Sequence, residues 1–80
     1  MQIKILEGSF SAKEALDILT QMIHVKIKFH ENKIAHLDKE EDIKMREKRV
    51  KQLQKDLYEV RKMINDGKKN YSLDAEIQIR

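Results

Sequence analysis

Six side chains carry the clearest pattern of chemically useful groups in this sequence. Lys44, Lys48, Lys51, Lys55, Tyr58 and Lys62 follow steps of four, three, four, three and four residues. On a helix they line up as one stripe about 27 Å long. Ammonium groups at that pitch suit contact with several phosphates, and a tyrosine among them can stack on a base, so the chemistry on offer is nucleic-acid or other polyanion binding. The plainer reading is that a helix face opposite an apolar seam must be solvated, that lysine is the ordinary residue there, and that Glu47 and Glu59 lie close by. A solvated face is the leading expectation and polyanion contact the alternative.

Other reactive groups form no such set. His24, His30 and His36 recur every six residues, but a step of six turns a helix through about 240°, so the three rings leave in three directions and cannot share one ion. His30 falls on an apolar stripe and reads as a buried or boundary histidine. Cysteine is absent and the only glycines, Gly8 and Gly67, are isolated. Nucleophile elbows and phosphate-cradling loops are therefore missing. Glu40, Glu41 and Asp42 are accounted for as the acidic start of a helix. We expect no enzyme: no catalytic residue, no cofactor and no metal.

These groups sit in a chain of 80 residues with formal net charge +3, in which 39% of residues are charged and 5% aromatic. Leu, Ile, Val and Phe number 22 of 80, above the roughly 20% level below which a packed core becomes doubtful, so a folded domain is expected over 1–80. A chain this short buries only roughly 60–65% of its unfolded surface, and without disulfides or metal a partner subunit becomes attractive. The start MQIKILEGS lacks a basic leader followed by an apolar run, and no three apolar residues are consecutive anywhere. The reading is a soluble cytoplasmic protein with no membrane span.

Glycine punctuates the chain near its two ends. Before Gly8, QIKIL alternates with Ile3 and Ile5 on one face, predicting a strand over 2–6. After Gly67, Leu73, Ala75, Ile77 and Ile79 alternate with polar residues, predicting a strand over 73–79. Between them, Ser11 and Glu14 form a capping-box signature opening a helix over 11–37. Ala12, Leu16, Leu19, Ile23, Ile27, Ile34 and Leu37 share its main stripe, and Ile18, Met22, Val25 and Phe29 form a second apolar strip beside it. The alternation in IHVKIKF is thereby helical rather than a strand. A second helix over 39–66 is expected, with Asp38 as N-cap and Gly67 beyond its end. Ile43, Val50, Leu57 and Ile64 recur every seven residues, with Arg46, Leu53 and Val60 at the other seam position as in a coiled coil. Arg46 is the misfit, expected to snorkel at the hairpin end or to meet an acid such as Glu31.

One unbroken helix would throw Ile43 more than 100° off the stripe of Leu16, Ile23 and Leu37, so a turn is expected at 36–42. The fold class is then α+β, mainly α: a long antiparallel helical hairpin flanked by short strands, β-α-α-β, completed by dimerisation. The order strand, helix, helix resembles the ribbon-helix-helix DNA binders in topology only. Their first helix is much shorter, and Gln2 and Lys4 are the only outward polar groups on QIKI, so no residue role is carried over. The functional expectation is a small structural or protein-interaction protein, a homodimer through Ile18, Met22, Val25 and Phe29 that also receives another protein as partner, with the lysine stripe as the rival site.

Overall fold

The computed structural model describes residues 1–64 and 69–80. In chain order they form β1 (Gln2–Ser11), α1 (Ala12–Ile34), α2 (Glu40–Met63) and β2 (Asn70–Gln78). The β-α-α-β order is as the sequence implies, and the element boundaries show which local signals governed.

At the head of α1 the Ser11 hydroxyl accepts from the Glu14 N–H at 3.2 Å, and the Glu14 carboxylate accepts from the Ser11 N–H at 2.9 Å. Both halves of the capping box are therefore made. The helix stops at Ile34, three residues short of the expected end, where the N–H groups of His36 and Leu37 turn back to the carbonyls of Lys33 and Ile34 at 3.1 and 3.2 Å. Those tight i→i+3 bonds satisfy end carbonyls without a glycine.

The start of α2 corrects an expectation. Lys39, not Asp38, holds the N-cap position, and no side chain caps it. The first turn relies instead on Glu40, Glu41 and Asp42 against the positive end of the helix dipole. Glu40 pairs with Lys44 at 3.3 Å. At the far end the Ile64 N–H bonds to the Val60 carbonyl at 2.9 Å, and the cap expected at Gly67 lies outside the described residues.

Gly8 does not close the first strand. β1 runs through it to Ser11 and pairs antiparallel with β2, Phe10 opposite Tyr71, Gly8 opposite Leu73 and Ile3 opposite Ile77. Gly8 has φ +143°, a backbone region that side-chain-bearing residues rarely adopt, so glycine is what lets the strand continue. The register slips between Lys4, opposite Glu76, and Leu6, opposite Ala75. Ile5 is the extra residue of a β-bulge. Because opposite residues in an antiparallel pair share a face, Ile3 and Leu6 stand with Ile77 and Ala75, and the bulged Ile5 borders the same groove as Ala75 and Ile77.

The core lies where the root of this ribbon meets the start of α1 and the end of α2. Ala12, Ala15 and Ile64 are buried there, with Phe10, Leu16, Leu19, Val60, Tyr71 and Leu73 packed around them, and the Tyr71 hydroxyl donates to the Met63 carbonyl at 3.3 Å. Among the described residues the only other buried apolar side chain is Leu57. The molecule is a thin slab, 46 × 33 × 13 Å, with a radius of gyration of 15.2 Å. A compact 80-residue chain would have about 11.6 Å.

Candidate functional site

The seam of α2 turns Val50, Leu53, Leu57 and Val60 toward α1, which leaves the lysine stripe on its outer side. Lys44, Lys48, Lys51, Lys55, Tyr58 and Lys62 are all exposed, as the helical spacing requires. Lys44 is taken up by Glu40, whereas Lys48, Lys51 and Lys55 form no ion pair among the described residues. Tyr58 also lines an open groove of about 710 Å³ between the two helices. There α1 contributes Gln21, His24 and Lys28, and α2 contributes Gln54 and Arg61, with Glu31 the one acid. The turn brings Lys28 of α1 beside Tyr58 of the α2 stripe, a juxtaposition that reading each helix alone does not give.

The second apolar strip of α1 is exposed in a gradient. Ile18 and Met22, near the ribbon root, are half-buried, while Val25 is 69% and Phe29 53% exposed. The ribbon explains the gradient: it packs on the helices at its root and stands away from them toward its tip. Between tip and hairpin lies a wedge-shaped groove of about 660 Å³, lined by Ile5, Ala75 and Ile77 from the ribbon, Leu19, Met22, Ile23 and Val25 from α1, and Leu53 from α2. Charged groups on its rim are Lys26, Asp56 and Glu76. At the tip itself Ile3, Ile5, Ile77 and Ile79 remain between 36% and 52% exposed. Sequence reasoning assigned these isoleucines to an inward strand face. The alternation that marks such a face was visible, but not that the ribbon parts from the hairpin.

The third cluster sits at the hairpin's distal end. His30 is buried, and its Nδ1 lies 2.9 Å from Nη1 of Arg46. Arg46 therefore meets a histidine and not Glu31. Its guanidinium also lies 5.8 Å from the centre of the Phe29 ring, with the Lys33 ammonium 5.6 Å away and the His30 ring edge-on at 5.6 Å. Two cations over the Phe29 ring shield part of it from water. Desolvation holds the His30 pKa below its ordinary value, and the positive charges of Arg46, Arg49 and Lys26 push it the same way.

His24 and His36 are exposed and lie apart from His30. Among the described residues no three His, Asp or Glu side chains gather as metal ligands would, and no helix is long and apolar enough to cross a membrane. Comparison with family models, with curated proteins and with solved structures returns no match. The geometry of this chain is therefore what a functional reading has to rest on.

Proposed function

We propose that this chain is a non-enzymatic interaction protein that assembles with a second copy of itself through its helical hairpin. One observation carries the reading. A folded monomer of 9.6 kDa has an accessible surface of about 5,100 Å², and this chain exposes 6729 Å². The excess of roughly 1,600 Å² falls within the roughly 1,000–2,500 Å² that each subunit of an obligate homodimer buries. A cysteine-free, charged composition suits a cytoplasmic setting. Sedimentation at low-micromolar concentration is expected to give twice the chain mass, and the mass of one chain would sink the proposal.

A second reading keeps the polyanion site. It is favoured by the groove that sets Lys28 and Arg61 beside Tyr58, the one member of the stripe that lines it. If it operates, retention on single-stranded nucleic acid falls steeply with salt and is lost when Lys48, Lys51 and Lys55 become glutamate. Salt-independent binding, or none, would dispose of it.

A further inference from the structure

We infer that the wedge between ribbon tip and hairpin is the seat of self-association, with the α1 strip of each copy packed against the ribbon tip of the other. This rests on the self-association proposed above and names the surface and geometry that would carry it. Val25 and the tip isoleucines Ile5 and Ile77 line the one wedge; exposed Phe29 follows Val25 by one turn of α1, and exposed Ile3 and Ile79 stand beside Ile77 at the tip. Such a surface carries both halves of its own complement. A twofold axis at the wedge mouth sets strip against tip twice over, the self-complementary arrangement that a closed dimer requires.

Area and charge agree on a second copy as occupant. The roughly 1,600 Å² of surface beyond a monomer's allowance matches one subunit's share of an obligate interface. The rim carries Lys26 together with Asp56 and Glu76, and these form no ion pair with one another. A rim bearing both signs can meet its own image, Lys26 of each copy facing an acid of the other, whereas a rim of one sign would repel itself.

The cysteine-free sequence makes the contact directly testable. Val25→Cys and Ile79→Cys proteins are purified separately, one isotopically labelled, then mixed and oxidised. A disulfide between labelled and unlabelled chains is expected, and none between Val25→Cys and Lys51→Cys. In parallel, Val25→Glu alters a side chain already 69% exposed in the single chain, so its helical circular dichroism is expected to persist while the sedimented mass halves. A wild type with the mass of one chain overturns self-association and seat together. A dimeric wild type that gives no Val25–Ile79 link, with Val25→Glu still dimeric, overturns the seat alone. Should Val25→Glu unfold, the cysteine pair decides.

Discussion

A guanidinium 2.9 Å from an imidazole nitrogen constrains the protonation of the ring. Arginine can only donate, so Nδ1 of His30 must be the acceptor and the imidazole neutral, with its proton on Nε2. Protonating Nδ1 would set two donors against each other beneath Arg46, with Arg49 and Lys26 adding repulsion. The linkage follows directly. The folded-state pKa is below the ordinary 6.5, so the unfolded chain binds the proton more readily, and the stability associated with neutral His30 is full above that value and is lost as pH falls below it. The thermal midpoint is expected to decline from about pH 6.5 downward. His30→Asn keeps an acceptor for Arg46 without a titrating ring and should flatten that decline; an equally acid-sensitive variant would assign it elsewhere. Glu14 acts in a lower window. Its pKa is depressed by the hydrogen bonds from the Ser11 backbone and side chain, so its contribution is lost only as pH falls below the ordinary carboxylate range. The heptad pattern marked Arg46 as out of place, but its partner lies 16 residues away on another helix, and the sequence reading offered only the hairpin end or an acid such as Glu31.

At the scale of elements, local signals proved the most readable. The Ser11–Glu14 capping box was legible because both partners lie within one turn, and it sets the start of α1 to the residue. Ser11→Ala is expected to cost about 1 kcal/mol, read as a lower midpoint in urea with an unchanged slope. The strands were legible in existence and type but not in length, since the glycine that usually ends an element is here what lets β1 continue. Gly8→Ala separates the two roles. A methyl group would meet only the Phe10 ring at 3.9 Å, an ordinary contact, so the cost is one of backbone conformation, about 1–3 kcal/mol. A neutral substitution would show that the strand relaxes to another φ. The bulge at Ile5 left a single trace, a change of phase in the apolar alternation of β1 from Ile3 and Ile5 to Leu6 and Phe10. The mismatch in residue count that it reflects lies between two strands at opposite ends of the chain and appears only in their pairing.

At the scale of the whole molecule, two layers that share only a small core leave the slab short of covered apolar surface. Part of this was legible: a helix apolar over half its circumference has more to cover than one neighbour can take, and Val25 and Phe29 were named on that ground. The ribbon tip was not, because the parting of ribbon and hairpin follows from packing at the root, where Ala12, Ala15 and Ile64 are buried together, and that packing joins residues far apart in sequence. If a second copy supplies the missing cover, assembly adds to the stability of the folded chain, and that stability depends on protein concentration. Tenfold dilution then removes about 1.4 kcal/mol per mole of dimer. With the unfolding entropy of two such chains, the midpoint should fall by roughly 4 °C. Thermal melts at two concentrations measure this directly. Lys48→Glu, Lys51→Glu and Lys55→Glu together should leave the concentration dependence intact, because the lysine face takes no part in the wedge. Val25→Glu should abolish it and lower the midpoint, since the same helix would then hold its apolar strip in water. A wild-type midpoint that ignores dilution would mean that this small core alone sustains the fold.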